Sequence, residues 1–267
     1  MPTVSANGID IGYDVHGSGP PLVMLHGAAS AGREDWAAQV PLLSKAFRIY
    51  LPDARGHATT RWDAAQGITG EMLLADLEGF IDALHLETLH LAGFSMGAMT
   101  ALWYATRHPE RLRTLLVAGI GLEREPRASV ARALMNPDRR PATGPLSEAA
   151  LARRHDPFQG AGAWRSLLVA LAADIAGAPG PTPAELHRVE LPVLVAVGDR
   201  DSFVPVDQAW ALARQVPAGR LLVVPDGPHE VMVRHPAIFN AATEAFYRST
   251  AETAGRRAVG RGARDEA

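Results

Sequence analysis

Residues Leu86–Arg107 read LETLHLAGFSMGAMTALWYATR. An apolar run, Leu89 to Phe94, stops at Gly93-Phe94-Ser95-Met96-Gly97. A helical pattern follows at once, with Met99, Leu102, Trp103 and Thr106 recurring at three- and four-residue intervals. G-x-S-x-G recurs by chance; a strand before it, a sharp turn and a helix after it are what give it meaning. Turning from strand into helix at one residue forces Ser95 to a positive φ, a costly backbone conformation for a residue with a Cβ. Only small neighbours two positions to either side, Gly93 and Gly97, leave room for that turn. The serine Oγ is thereby held clear of the sheet. The Met96 N–H sits at a helix N-terminus, where negative charge is stabilised.

Outward from this stretch, strand and helix signals alternate. Thr3–Ser5 and Ile9–Val15 flank Asn7-Gly8, a strong two-residue hairpin signal. Pro21–Leu25 is wholly apolar, as expected of a parallel strand covered on both faces, and ends at His26-Gly27-Ala28-Ala29. Asp35–Leu43 reads as a helix, Phe47–Leu51 as a strand leading into Pro52-Asp53-Ala54-Arg55-Gly56-His57, and Thr69–Leu86 as a long amphipathic helix. After the serine stretch come strand Leu112–Val117, strand Pro192–Val197, helix Val206–Gln215, strand Leu221–Val224 and helix Pro236–Tyr247. The expected fold is α/β, a mostly parallel central sheet with helices on both faces.

The alternation breaks at about Gly121 and resumes near Leu186. The stretch between is rich in proline, arginine and alanine, with helical pieces near Ala128–Met135, Ser147–Arg153 and Ala163–Ala176. A long insertion without strands reads as a helical lid. The expected organisation is a core of residues 1–120 and 187–250, a lid of 121–186, and a solvated, mobile tail of 251–267.

Composition narrows the function classes. At 267 residues with 47% hydrophobic and 21% charged residues, the chain can bury a substantial core. A net charge of −3 leaves no electrostatic footprint for nucleic acid. The absence of cysteine excludes disulfides and thiolate chemistry. Lys45 is the only lysine, which weighs against P-loop and Schiff-base chemistry. No apolar run approaches the ~18 residues of a membrane span, and the N-terminus lacks a signal-peptide pattern, so a cytoplasmic location is expected. Oligomeric state is not readable.

A serine hydroxyl attacks a carbonyl only with help from a base, and the base needs an orienting acid. Downstream strand ends supply both types. Pro192–Val197 runs into Gly198-Asp199-Arg200-Asp201, and Leu221–Val224 into Pro225-Asp226-Gly227-Pro228-His229. These sit at the carboxyl edge of an open parallel sheet, where ligands bind.

The chain resembles the α/β-hydrolase fold superfamily over about residues 3–250. The matching segments are His26-Gly27-Ala28, Asp53-x-Arg55-Gly56-His57, Gly93-Phe-Ser95-Met-Gly97, Gly198-x-x-Asp201-x-x-Val-Pro205 and His229. Jointly they are far more specific than any one alone. The resemblance implies Ser95 as nucleophile, Asp201 as acid, His229 as base, and an oxyanion hole from the Ala28 and Met96 N–H groups. Two departures are Ala58, where the family often has glycine, and Pro228, where a glycine usually precedes the histidine.

Competing assignments accompany each of these. Asp199 is a second carboxylate beside Asp201, and Glu123 follows the strand after the serine helix, where some members take their acid. His26 and His57 read as loop-stabilising groups, His235 as a helix-start residue and His155 as a surface residue. Trp164, Leu167, Leu168 and Leu171 form an apolar helical stripe. His26, Phe94, Met135, Phe158, Trp164, Leu168 and Phe203 are the expected pocket residues. The cap arginines (Arg124, Arg127, Arg132, Arg139, Arg140, Arg153, Arg154 and Arg165) read as a solvated face. The function expected from the resemblance is hydrolysis of a carboxylic ester or lactone of a small, partly apolar substrate, with no cofactor or metal. A carbon–carbon bond hydrolase, thioesterase, amidase or cofactor-free perhydrolase would use the same residues. A binding protein that kept the fold and lost turnover is the alternative of another class.

Overall fold

The apolar runs assemble into one eight-stranded sheet: β1 (Thr3–Ala6), β2 (Ile9–His16), β3 (Pro21–Leu25), β4 (Arg48–Pro52), β5 (Leu89–Phe94), β6 (Leu112–Ala118), β7 (Val193–Gly198) and β8 (Gly219–Val224). Their spatial order is β1-β2-β4-β3-β5-β6-β7-β8. The pairings β1–β2 and β2–β4 are antiparallel, and every other pairing is parallel. The structure is a computed structural model and describes residues 1–123, 128–177 and 180–265. Arg124 and Arg127, expected on the cap, lie outside the described residues.

The helices in chain order are α1 (Gly32–Asp35), α2 (Val40–Leu43), α3 (Gly70–Ala83), α4 (Met96–Arg107), α5 (Ala128–Leu134), α6 (Glu148–Gln159), α7 (Trp164–Gly177), α8 (Pro183–His187), α9 (Val206–Gln215), α10 (Val231–Arg234) and α11 (Pro236–Asp265). Along the central strands, successive side chains alternate between two cores. Val23, Leu25, Leu89, Leu91, Leu115, Val117, Val193, Val195 and Val197 pack with residues of α3, α4 and α9, among them Phe80, Leu102 and Leu212. Leu22, Met24, Ala92, Phe94, Leu116, Ala118, Leu194 and Ala196 pack on the other face with Trp36, Phe239, Phe246 and Tyr247. That division is the period of two along a strand, buried on both sides. At roughly 2 kcal/mol for a fully buried aliphatic side chain, these two layers dominate the favourable term in folding.

Local chemistry sets the element ends. Asn7 (φ 47°) and Gly8 (φ 77°) both take the left-handed values of the tight hairpin turn. Thr69 caps α3 by accepting from Met72 N–H at 3.2 Å, and His85 (φ 53°) ends it as the Leu86 N–H returns to Ile81 C=O. The helix expected over Asp35–Leu43 is instead two short helices, α1 and α2. Pro41, in the first turn of α2, lacks an N–H and cannot continue a helix from upstream.

The insertion between β6 and β7 places α5, α6 and α7 over the carboxyl edge of the sheet. Met135, Leu151, Trp164, Leu167, Leu168 and Leu171 form a third apolar cluster with Ala29, Ile68 and Leu73 of the core. Its last helix, α8, begins with a capping box between Thr182 and Glu185 and buries Leu186 in the main core, so that helix belongs to the core side. The segment from Ala251, expected to be a solvated tail, continues α11 to Asp265. Its alanines, glutamate and arginines are good helix formers, and they extend the preceding helix. Among the described residues no helix is long and apolar enough to cross a membrane.

Candidate active site

Ser95 sits between β5 and α4 at φ 50° and ψ −110°. Its N–H donates to Ala118 C=O at 2.8 Å, which extends the β5–β6 ladder up to the turn. The two flanking glycines are demanded by space. A Cβ on Gly97 would lie 2.6 Å from the His26 carbonyl oxygen, and one on Gly93 would collide with the Gly97 backbone. Gly97 N–H donates to that same His26 carbonyl at 3.1 Å, tying the serine turn to the loop after β3.

Asp201 follows β7. Its Oδ1 accepts from the N–H groups of Phe203 (2.7 Å) and Val204 (3.0 Å), and its Oδ2 accepts from His229 Nδ1–H at 2.8 Å. The side chain is fully buried, so these bonds replace the water a carboxylate would otherwise need. His229 follows β8, and its Nε2 accepts from Ser95 Oγ–H at 3.0 Å. Phe94 and Phe203 flank the imidazole, with ring centroids 4.9 and 4.6 Å away. The histidine loop is tied to the acid loop through Arg200 N–H, which donates to Gly227 C=O at 3.0 Å just ahead of Pro228. Asp199 instead faces Arg200, and the Glu123 N–H donates to Gln208 Oε1 at the pocket edge. His235 ends α10 immediately before Pro236 and faces Asp226 C=O through Nε2 at 3.2 Å.

In the loop after β3, the N–H groups of Gly27 and Ala29 are taken by Asp35 Oδ2 and His57 Nε2, and at the start of α4 that of Gly97 is taken by His26 C=O. Among the described residues, no protein acceptor is assigned to the N–H of Ala28 or of Met96, and both residues line the cavity beside Ser95. Two unspent amides near one hydroxyl can receive an anionic oxygen.

The cavity has a volume of about 230 Å³. Phe94, Met96, Met99, Trp103, Ile120, Met135, Leu146, Leu171, Phe203 and Val204 are among the apolar residues of its wall. Of the residues expected there, Phe94, Met135 and Phe203 are present. Four others are not. His26 lies behind the loop, where Nδ1–H donates to Gly27 C=O and Nε2 accepts from Ala54 N–H. Trp164 and Leu168 turn into the apolar cluster that the cap forms with Ala29, Ile68 and Leu73. Phe158 is exposed at the end of α6.

His155 also departs from expectation. It is fully buried, accepts from Ala58 N–H through Nδ1 at 3.0 Å, and donates from Nε2 to Ala29 C=O at 3.3 Å. Burial pushes its pKa down to about 4 and holds that of His57 well below the usual imidazole range. Ala58, the departure from glycine, keeps a left-handed φ of 35°. Asp35, which the sequence marks only as a helix start, and Arg154, which reads there as part of a solvated face, both line the cavity. Asp35 accepts from Gly27 N–H and Ser30 Oγ–H, and burial raises its pKa. Arg154 lay in an arginine-rich run whose charge pattern reads as solvated. It is buried instead, paired with Glu34.

The chain is similar to known hydrolases along most of its length. A family model of the α/β hydrolase fold matches residues 20–142. The 2-hydroxy-6-oxo-6-(2'-aminophenyl)hexa-2,4-dienoic acid hydrolase of Metapseudomonas resinovorans is 25% identical over 265 residues, covering 91% of this chain and 89% of that protein. The enol-lactonase of Burkholderia xenovorans LB400 superimposes with a TM-score of 0.72 at 25% identity, over 92% of this chain and 100% of that one. A thermophilic esterase from Thermogutta terrifontis gives a TM-score of 0.75 at 24% identity, over 93% and 98%.

Proposed function

We propose that this chain is a member of the α/β-hydrolase fold superfamily and that it cleaves a carboxylic ester or lactone of a small, partly apolar substrate through a Ser95 acyl-enzyme. The observation that carries this reading is the unbroken chain of bonds from Ser95 Oγ to His229 Nε2 (3.0 Å) and from His229 Nδ1 to Asp201 Oδ2 (2.8 Å). In that mechanism His229 takes the Ser95 proton as Oγ attacks the carbonyl carbon. The carbonyl oxygen, now anionic, rests on the Ala28 and Met96 amides. Asp201 holds the imidazole in its tautomer and steadies the positive charge. His229 then protonates the departing alkoxide, and by the same route activates a water that hydrolyses the acyl-enzyme.

The apolar wall of the cavity and the similarity to an enol-lactonase support this substrate class. The similarity to a dienoic acid hydrolase supports a second reading, cleavage of a carbon–carbon bond in an acidic substrate by the same residues. Against it, Arg154 is the one arginine or lysine among the described residues lining the cavity, and its guanidinium already bonds Glu34, Ala29 C=O and Pro145 C=O. A substrate carboxylate would have to compete with that pairing. The neutral ester or lactone is therefore the reading we adopt, acting on a small molecule in the cytoplasm.

Intact-mass analysis after treatment with a fluorophosphonate tests the core of this assignment. One adduct on the wild type, absent from Ser95→Ala and His229→Ala, is expected. An adduct that survives Ser95→Ala, or none on folded wild type, would overturn it. Turnover of short-chain aryl esters and lactones, measured against a vinylogous diketone acid, separates the two substrate readings.

A further inference from the structure

Ala29 is held at both ends by side chains from other parts of the chain. Its N–H donates to His57 Nε2 at 3.0 Å, and its carbonyl accepts from Arg154 Nη1 and, at 3.3 Å, from His155 Nε2. Arg154 and His155 are neighbours on α6, in the cap. Ala29 is fully buried at φ 58°, a left-handed conformation that a residue with a Cβ adopts only when its surroundings impose it. The residue before it is Ala28, whose N–H is one of the unspent amides beside Ser95.

Each of the three groups that fix Ala29 is itself fixed. His57 Nδ1–H donates to Arg55 C=O at 2.9 Å, so its Nε2 is free to accept. His155 Nδ1 accepts from Ala58 N–H, so its proton is on Nε2, facing Ala29. Arg154 is anchored by Nε on Glu34 at 2.9 Å and by a second bond from Nη2 to the same oxygen. Glu34 belongs to α1, which follows this loop directly. The cap therefore reaches the loop twice, once at Ala29 and once at α1.

We propose that Arg154 and His155 are positioning residues for acyl transfer: by holding the Ala29 carbonyl, they fix the left-handed turn that aims the Ala28 N–H at the developing oxyanion. This rests on the serine-hydrolase reading above. It makes the seating of α6 a condition for oxyanion stabilisation, not only a cover for the cavity. Neither side chain needs to touch the reacting atoms.

The experiment compares Arg154→Met and Arg154→Lys, and His155→Phe and His155→Gln, with wild type on p-nitrophenyl acetate. A trifluoromethyl ketone, which adds Ser95 Oγ to form a tetrahedral oxyanion, is the second probe. A misplaced donor weakens the transition state and not the ground state, so kcat should fall about 10- to 100-fold with KM within about threefold. Affinity for the trifluoromethyl ketone should fall in step with kcat/KM. His155→Gln, which keeps a donor near Ala29, should recover part of what His155→Phe loses, and thermal melts identify any variant that fails to fold.

Unchanged kcat with a lowered melting temperature would overturn the proposal and leave cap packing as the whole role. A rise in KM alone would also overturn it, and make Arg154 a substrate contact. If Arg154→Met does not fold, the His155 pair decides between the same outcomes. Failure of wild type to form any Ser95 adduct would sink the underlying hydrolase reading, a result distinct from a wild type that reacts normally beside unaffected variants.

Discussion

Gly119 stands directly against the imidazole of His229. A Cβ built on it would lie 2.9 Å from His229 Cε1 and 3.0 Å from Phe94 Cε2, and the residue holds a φ of 68°. The end of β6 thus serves as a wall for the histidine, and its lack of a side chain lets the ring reach Ser95. Gly119→Ala would both strain the backbone and push the ring away. We expect a loss of about 10²-fold in kcat on an aryl ester, since small misplacements of a base are that costly. The fold should survive, with a modest fall in melting temperature. Wild-type kcat in this variant would show that the ring has another seat.

The two carboxylates after β7 should separate cleanly. Asp201→Asn removes the acceptor for His229 Nδ1–H and favours the wrong tautomer, with an expected loss of about 10³- to 10⁴-fold in kcat. Asp199→Asn leaves every bond to His229 in place and should stay within about threefold of wild type. Steady-state kinetics on the two variants decide the matter. The opposite ranking would move the acid to Asp199.

Buried neutral histidines should make stability fall in acid. Burial lowers the pKa of His155 and His90 to about 4, and holds that of His57 well below the ordinary imidazole range. Below about pH 6.5 the unfolded chain binds protons that the folded one refuses, so stability rises with pH across this window and is lost toward pH 4. At 1.36 kcal/mol per pKa unit, His155 and His90 each contribute at most about 3 kcal/mol. Asp35, with its raised pKa, acts in the opposite sense and offsets part of the loss. Melting temperatures from pH 8 to pH 4 should be flat and then descend. His90→Gln should make the descent shallower, and an unchanged slope would remove His90 from the account.

A buried ion pair joins three separate segments. Arg55 donates from Nε and Nη2 to the two carboxylate oxygens of Asp76 on α3, and Asn7 Nδ2 of the first hairpin donates to Asp76 Oδ1 at 2.8 Å. Side-chain exposures of 3% and 8% mean that removing one partner strands the other charge away from water. Asp76→Ala should therefore destabilise by about 3–5 kcal/mol, measured by urea unfolding. A change below about 1 kcal/mol would mean that water reaches Arg55 in the variant.

What could be read in advance follows from the range of the forces involved. Strand ends, the serine turn and the downstream acid and base depend on residues close in sequence, and glycines and alternating apolar runs mark them. The register that lets Ser95, Asp201 and His229 meet is a property of the sheet order, which the alternation of strands and helices already limits. Partners on the cap are another matter. Periodicity tells which face of α7 is apolar, but not that Leu171 reaches the cavity while Trp164 and Leu168, in the same cluster, do not. His155 and Arg154 looked solvated because charge and polarity along α6 say nothing about a loop more than 90 residues away. Pro41 marks the break between α1 and α2 in the sequence itself. The continuation of α11 to Asp265 was hidden by the glycines in its last turns.

The helical insertion leaves from the end of β6 and returns to β7, and these two strands are parallel neighbours in the sheet. The detour thus begins and ends on adjacent rungs, and lengthening such a connection adds only a slow, logarithmic entropic penalty. Evolution can replace, shorten or rebuild this segment without rewiring a single strand pairing, as though exchanging a tool head on a fixed handle. The clamp on Ala29 limits that freedom. A replacement segment must cover the cavity and must also present two donors to one carbonyl, so successful transplants into this scaffold would need to carry the α6 pair with them.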